Sequence, residues 1–228
     1  MANDKLRLLS TLALKGAVER LSGQYQAATG TKLDGEFAPT VGLLKRLREG
    51  EKADVLILTR EGLDELVAAG VVAPASRIDL ARSYVGIAVK AGQPRPDIST
   101  EAALCAALLA ARSVAYSKIG ASGIYFAGLI RRLGIAAKIN ARATITAGFT
   151  AERLITGEAD LAVQQLSELK QVADIEVFGP IPLGLQTPAV FTAGRMASSD
   201  KAASADALLK FLASPEVAPV LRDSGLEP

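Results

Sequence analysis

The chain has 228 residues, half of them hydrophobic, and its 26 Lys and Arg against 24 Asp and Glu leave a net charge of +2. This length is ample for a hydrophobic core, and the composition is typical of a globular chain without the basic blocks of a nucleic-acid partner. The sequence contains no histidine, which excludes a Ser-His-Asp or Cys-His catalytic site and a histidine-bearing zinc site.

The first third alternates short apolar runs with helical patterns. Gly30 follows the first helical pattern and is a plausible stop signal for it. A βαβαβα rhythm favours a mostly parallel α/β sheet. Strands are predicted at 6–9, 32–38 and 53–58, and helices at about 11–29, 40–50 and 60–70.

A second α/β series follows a predicted strand at 82–92 and a loop at 93–99. The tail reads as two short helices, with Ser214 and Pro215 as cap and first turn of the second. Between the loop at 93–99 and this tail, helices are predicted from about Thr100, from about Ser122 and at 150–157. Strands are predicted at 113–116, 141–146, 160–165 and 187–194.

No apolar run reaches the length of about 18 residues that a membrane helix needs. The opening MANDKLRLLS has no apolar segment of the kind found in export signals. We therefore expect a cytoplasmic protein if this is the full-length chain, or a periplasmic one if it is a mature form.

Four strand-to-helix junctions carry hydroxyl or small residues. A helix N-terminus presents free N–H groups and about half a positive charge, so it favours an anion without Lys or Arg. Ser and Thr are equally the ordinary N-caps of helices, and this second reading stays open. The junctions are Ser10–Thr11, Pro39–Thr40, 120–123 and 148–150.

Other motifs offer little. GASG lacks the Lys-Ser/Thr of a Walker A loop, and no G-x-G-x-x-G opens a helix. Lys118 could neutralise a bound anion, act as a base or simply be solvated. Cys105 lies in an apolar run, where inert packing is expected, and a single cysteine excludes an internal disulfide.

Nearly the whole chain resembles the molybdate-binding-protein family, the type II periplasmic solute-binding proteins of ABC importers. LLSTLALKGAVERLSGQYQAATGTKLDGEFAPT is similar to that family's opening strand, hydroxyl turn and helix, and EKADVLILTREGLDELVAAGVV to its ADV segment. GASGIYFAGLIRRLGI resembles its second-lobe anion loop, and AERLITGEADLAVQQLSEL its GEAD segment.

The resemblance implies a two-lobed α/β fold, each lobe a mostly parallel sheet flanked by helices. Lobe 1 would comprise 1–82 and 188–228, and lobe 2 would comprise 83–187. Two hinge crossings would lie near Arg82–Tyr84 and Leu185–Thr187. A small anion would be trapped between the lobes by hinge closure and held by neutral donors.

The family's binding positions transfer to six residues of this chain, and three further residues of the second-lobe loop complete the expected set. The first serine falls at Ser10 or Thr11, and the binding tyrosine falls at Gln165. Together with Pro39 and Ser122, Gln165 departs from the family pattern and favours an organic acid or another small anion over molybdate. The expected ligand-binding residues are Ser10, Thr11, Thr40, Ser117, Ala121, Ser122, Gly123, Thr150 and Gln165.

Two functions remain open. The first is a monomeric binding protein for a small anion, linked to ABC-type uptake with a permease as its partner, and with no catalytic residue, metal, cofactor or nucleic acid. The second is a metal-free isomerase of an unsaturated tricarboxylate, because the aconitate isomerases resemble the same family. Its base would be Lys118 or Tyr116. A sensor domain of a regulator is a weaker third reading.

Overall fold

The computed structural model describes residues 5–228; residues 1–4, on which the expectation of a missing export signal partly rests, lie outside the described residues. The described chain divides into two compact units. Unit 1 comprises residues 5–82 and Ala189–Pro228, and unit 2 comprises Ser83–Pro188. Each unit contains one five-stranded sheet with flanking helices, so the predicted two-lobed α/β class is confirmed.

Unit 1 is built on a sheet of order β2-β1-β3-β10-β4. β1 pairs in parallel with β2 and β3, and β10 runs antiparallel to β3. The strands are β1 Lys5–Ser10, β2 Lys32–Phe37, β3 Val55–Thr59, β4 Ile78–Ser83 and β10 Ala189–Arg195. The helices are α1 Lys15–Thr29, α2 Thr40–Arg48, α3 Arg60–Ala68, α9 Ala202–Leu212 and α10 Ala218–Asp223.

Unit 2 has the strand order β7-β6-β8-β5-β9. β6 is parallel to β7 and β8, while β5 runs antiparallel to β8 and β9. The strands are β5 Val85–Lys90, β6 Val114–Tyr116, β7 Ala143–Ile145, β8 Leu161–Gln165 and β9 Ile175–Phe178. The helices are α4 Glu101–Ala110, α5 Ala121–Arg132, α6 Ala136–Asn140, α7 Glu152–Ile155 and α8 Leu166–Leu169.

The apolar face of α1 shows how the helices are held on the sheets. Ala17, Val18, Leu21 and Tyr25 recur at helical spacing, and all four are buried in the unit 1 core. Burying a large apolar side chain stabilises the fold by roughly 1.5–3 kcal/mol. Gly30 ends the helix with a φ of 76°, which a glycine adopts without strain, so the predicted stop is confirmed.

The predicted strand at 82–92 is wrong in extent. The chain forms two strands there, β4 in the unit 1 sheet and β5 in the unit 2 sheet, separated at Tyr84. The Tyr84 carbonyl accepts a hydrogen bond from the Leu166 N–H at 2.9 Å, which draws the chain toward the unit 2 sheet. Both strands are rich in apolar residues, so their pattern runs on without a visible break.

Three short helices also differ from the sequence prediction. α6 and α8 have no predicted counterpart, and α7 covers only the middle of the predicted helix at 150–157. Helices of four or five residues span little more than one turn, so their apolar spacing does not repeat, and pattern analysis misses them. None of the helices within residues 5–228 combines the length and apolarity needed to cross a membrane.

Candidate functional site

Three of the predicted hydroxyl residues lie on neighbouring turns at the carboxyl edge of the unit 1 sheet. Ser10 ends β1, and its carbonyl accepts from the Ala38 N–H at 3.1 Å. Thr11 donates its N–H to Ile57 O at 2.8 Å. The Thr40 hydroxyl accepts from the Thr59 N–H at 3.2 Å. These bonds hold the turns after β1, β2 and β3 together, where ligands of open α/β sheets bind.

Ser10 and Thr11 differ in what their hydroxyls can do. The Ser10 hydroxyl is fully buried and donates to Thr11 O at 3.1 Å. Thr11 caps the short 3₁₀ turn Leu12–Leu14 without a side-chain cap bond. Its side chain is 5% exposed, and its hydroxyl has no partner among residues 5–228. Thr11 therefore has the free donor of this pair.

The N-terminus of α2 is uncapped. Pro39 at the cap position offers no side-chain acceptor, and the first amide bonded back to it is that of Leu43, at 3.1 Å. The N–H groups of residues 40–42 thus have no protein acceptor within the described chain, and they are free for an external acceptor. In α3, by contrast, the Thr59 hydroxyl accepts from the Gly62 N–H at 3.4 Å.

The loop after β6 prepares a second uncapped terminus in unit 2. The Ser117 hydroxyl accepts from the N–H groups of Ile119 and Gly120, at 3.2 and 3.0 Å, and so shapes the loop. α5 begins at Ala121 with Gly120 as its cap residue, which carries no side chain. The first amide bonded back to Gly120 is that of Ile124, at 3.0 Å.

Ser122 lies at the second position of α5. Together with Ala121 and Gly123 it contributes three backbone N–H groups that have no acceptor among residues 5–228. Its side chain is 2% exposed, and its hydroxyl makes no hydrogen bond within the described chain. A capping serine would precede the helix, so the ordinary N-cap reading of Ser122 is wrong.

Gly123 has a packing reason of its own. A Cβ at this position would lie 1.6 Å from the carbonyl oxygen of Ser117. Only glycine lets the first turn of α5 lie against the loop that precedes it. The glycine thereby fixes where the free amides of α5 point.

The turn at Gly148–Thr150 is satisfied internally. The Thr150 N–H and hydroxyl both donate to Gln164 Oε1, at 2.8 and 3.0 Å, and the hydroxyl also reaches Val163 O at 3.3 Å. The Gln164 amide nitrogen donates to Gly148 O at 3.3 Å. Both donors of the predicted binding residue Thr150 are therefore engaged by the protein.

Gln165 caps α8. Its side chain accepts from the Glu168 N–H, and the Glu168 carboxylate accepts from the Gln165 N–H at 3.4 Å, which is a capping box. In the orientation that satisfies its neighbours, the amide nitrogen donates to Ser83 O and Tyr84 O at 3.0 and 3.2 Å. The side chain predicted to replace the family's binding tyrosine thus makes several contacts of its own within the protein.

Two polar residues of unit 2, Gln164 and Glu168, have no place in the sequence-based prediction. Glu168 is 7% exposed, and burial raises its pKa to about 7. The Gln165 N–H and the Gln164 side chain lower the pKa, but by less than burial raises it. The spacing of Gln165 and Glu168 matches a capping box and could have indicated the helix and its acid. No comparable signal marks Gln164.

The two candidate bases occupy different environments. Tyr116 is buried, donates its hydroxyl to Asn140 Oδ1 at 2.6 Å and packs edge-on against Phe126. Burial raises the pKa of the Tyr116 phenol, which disfavours a role as general base. Lys118 is exposed in the loop before α5.

Burial raises the pKa of the Cys105 thiol, which disfavours reactivity there.

Known proteins match the chain over almost its entire length. The profile of the bacterial extracellular solute-binding protein family covers residues 6–227. An aconitate isomerase from a Pseudomonas species is 38% identical over 98% of this chain and 87% of its own length. The periplasmic molybdate-binding protein of Azotobacter vinelandii superposes with a TM-score of 0.83 at 20% identity, over 98% of this chain and 99% of that one. The sulfate-binding protein of Mycobacterium tuberculosis superposes with a TM-score of 0.77 at 14% identity, over 99% and 87%.

Proposed function

Because the chain belongs to the family of bacterial extracellular solute-binding proteins, we propose that it binds a small organic polyanion through neutral donors. The observation that carries this proposal is the start of α5, where three free N–H groups and the unpartnered hydroxyl of Ser122 lie together. Such a terminus favours negative charge through its dipole and its orphan donors. In unit 1, the free amides of α2 and the hydroxyl of Thr11 offer the same chemistry.

Apolar side chains beside the free amides support an organic ligand. Ile119 and Ile124 flank the start of α5 and are 39% and 52% exposed, and Val41 at the start of α2 is 50% exposed. At either helix start, a hydrocarbon chain that carries carboxylates would contact both the donors and the neighbouring apolar side chains, whereas an inorganic oxyanion offers nothing to an apolar surface. The aconitate isomerase relative favours a tricarboxylate of the aconitate type.

The nine predicted residues take different roles in this proposal. In unit 2, Ala121, Ser122 and Gly123 contact the ligand through their backbone N–H groups. In unit 1, Thr11 and Thr40 offer free donors of the same kind. The other four shape and hold the turns, because their polar groups are engaged within the protein: Ser10, Ser117, Thr150 and Gln165.

Calorimetric titration with trans-aconitate, cis-aconitate, citrate, sulfate and molybdate tests the ligand class. We expect a carboxylate to bind, and at 100 times its dissociation constant to stabilise the protein by about 2.7 kcal/mol. Ala121→Pro, which removes one free N–H at a position where proline suits a helix, should weaken binding without unfolding the protein. Tight binding of molybdate or sulfate with none of the carboxylates would contradict the proposal.

A second candidate function is isomerisation of the bound tricarboxylate, which the 38% identical aconitate isomerase favours. A base would remove a proton from the methylene carbon next to a carboxylate. The electron pair would shift through the double bond, and the proton would return to the far carbon. The neutral donors would stabilise the extra charge on the carboxylate oxygens in between. Lys118 is the remaining candidate base from the sequence.

Proton NMR of cis- or trans-aconitate incubated with the protein tests this second function, because the two isomers have distinct olefinic signals. We expect Lys118→Met to abolish interconversion while trans-aconitate still binds. Lys138→Met, which replaces an exposed lysine on α6, is the matched control. Binding without interconversion in the wild type would leave the protein as a binder alone.

We further propose that a binding role would serve uptake, with the protein in the periplasm as a monomer that delivers its ligand to an ABC permease. The family match and the periplasmic molybdate-binding relative support this extension. Fractionation of cells that express the chain from its own gene tests it, and recovery in the cytoplasm alone would contradict it.

A further inference from the structure

A buried polar cluster lies at the carboxyl end of β8, and its members are Gln164, Gln165 and Glu168. The Glu168 carboxylate accepts from the Gln165 N–H at 3.4 Å, and the Gln164 side chain is near enough to lower its pKa. The Gln165 side chain accepts in return from the Glu168 N–H. The acid thus touches two consecutive residues whose side chains contact different parts of unit 2.

Gln164 extends the cluster to the turn before α7. Its Oε1 accepts from both the N–H and the hydroxyl of Thr150, and its nitrogen donates to Gly148 O. Gln164 therefore contacts the turn directly and also acts on Glu168, whose pKa its side chain lowers. One side chain thus separates this turn from the acid.

Gln165 extends the cluster to the chain crossing at Ser83–Tyr84. Its amide nitrogen donates to both carbonyls, and the Leu166 N–H adds a third bond, to Tyr84 O. On the unit 1 side, Arg82 exchanges two backbone bonds of 2.8 Å with Glu227. Gln165 therefore fixes the backbone where the chain enters unit 2.

A carboxylic acid at the centre of this buried cluster lowers the stability of the fold. Glu168 is buried, and the groups that act on it from β8 and α8 are two neutral donors, the Gln165 N–H and the Gln164 side chain. No charged group of residues 5–228 is among those that shift its pKa. An unpaired buried carboxylate destabilises a fold, so a structural cap alone does not account for it.

We propose that Glu168 is a positioning residue for the anion site: it holds the Gly148–Thr150 turn and the Ser83–Tyr84 crossing in one frame and couples anion binding to its own protonation. The proposal rests on the anion-binding function given above. An anion bound at this edge places a second negative charge near the buried carboxylate, so the complex favours neutral Glu168. Because burial raises its pKa to about 7, affinity should fall as the pH rises through neutrality.

Calorimetry with trans-aconitate at pH 6, 7 and 8 tests the coupling. We expect the wild type to lose affinity on the order of tenfold over this range, which corresponds to a binding-linked pKa change of about one unit. Glu168→Gln, which is neutral at every pH and similar in size, should keep the pH 6 affinity and show a flat profile. Glu158→Gln, which replaces an exposed carboxylate shortly after α7, should retain the wild-type profile.

Amide hydrogen exchange of the unliganded protein tests the positioning role without any ligand. Glu168→Ala should speed exchange at Thr150 and Leu166, and Glu168→Gln should keep both protected.

Identical pH profiles in the wild type and Glu168→Gln, or unchanged exchange in Glu168→Ala, would overturn the inference. Loss of aconitate turnover with intact binding in Glu168→Gln would also overturn it, because Glu168 would then be a base. If no carboxylate binds the wild type at any pH, the proposed function fails. The exchange experiment still tests whether Glu168 holds the turn and the crossing in place.

Discussion

The hydroxyl of Ser122 lies at the second position of α5, where it caps nothing and has no partner within the described chain. A residue of this kind separates binding from stability. Its neighbour Gly123 carries the packing of the same turn, because a Cβ there would meet the Ser117 carbonyl oxygen at 1.6 Å. Substitution of Ser122 should therefore affect ligand binding, whereas substitution of its neighbour Gly123 should affect stability.

Ser122→Ala should weaken binding of the carboxylate ligand by about 1 kcal/mol, or roughly fivefold, because one neutral hydrogen bond is lost. The melting temperature of the unliganded protein should stay unchanged. Thr100→Ala is the control, since the Thr100 hydroxyl accepts from the Ala103 N–H at 3.1 Å and caps α4. It should cost about 0.5–2 kcal/mol of stability and leave affinity intact. The opposite pattern in the two variants would refute the assignment.

Gly123→Ala should destabilise the protein by about 1–3 kcal/mol, because the new methyl group forces the loop carbonyl of Ser117 to move. Gly128→Ala lies on the same helix, and its new methyl group would have no neighbouring atom within 4 Å. This second substitution should instead stabilise the protein by about 0.5–1 kcal/mol through helix propensity. Urea unfolding of both variants gives the comparison. Equal effects would mean that Gly123 has no special packing role.

At the level of elements, α8 depends on a carboxylate whose folded-state pKa is raised to about 7 from an ordinary value of 4.5. Between these values the folded chain holds a proton that the unfolded chain has released. Stability is therefore full below about pH 4.5 and is lost as the pH rises toward 7. Glu168→Gln removes this loss, so at pH 8 it should be more stable than the wild type, on the order of 1–3 kcal/mol. Thermal unfolding from pH 4.5 to 8 measures it, and parallel curves would contradict the expectation.

The cap of α8 gives a second prediction at this scale. Gln165→Ala leaves Ser83 O, Tyr84 O and the Glu168 N–H without their side-chain partner, and it should cost about 1–3 kcal/mol of stability without ligand. Gln93→Ala, on an exposed loop, is the control. Changed ligand selectivity with intact stability would show instead that Gln165 contacts the ligand, as the sequence comparison with the family's tyrosine suggests.

The long elements were predictable because their patterns are local. α1 shows four buried residues at helical spacing and a glycine stop, and β3 is a continuous apolar run. The break at Tyr84 and the role of Gln165 were not predictable, because both depend on partners distant in sequence. At the candidate site, the sequence indicated the junctions, but it could not show which donors are free. That depends on contacts such as those of Thr150 with Gln164.

On the scale of the whole molecule, positive and negative charges nearly balance, and the groups of the candidate site are neutral. Many charged side chains form ion pairs on the surface, such as Arg60 with Asp79 at 2.6 Å and Arg112 with Asp160 at 2.8 Å. The proposed ligand contacts are hydroxyls and backbone amides. Salt screens exposed charges far more than buried dipoles, so these contacts should respond little to ionic strength.

Affinity for the carboxylate ligand should therefore change little between about 50 and 500 mM sodium chloride. Calorimetry at fixed pH measures this, with the chloride replaced by another monovalent anion as a check on competition. A steep loss of affinity would show that exposed Lys and Arg side chains dominate binding.

The sheet order of unit 1 has a consequence for how the chain is made. β10, from the C-terminal segment, lies between β3 and β4, so the ribosome must deliver residue 189 and beyond before that sheet can close. Unit 2 is contiguous from Ser83 to Pro188 and can complete its own sheet while the tail is still being synthesised. During translation, residues 5–82 therefore keep an open strand edge until residues 189–228 are synthesised and fill it.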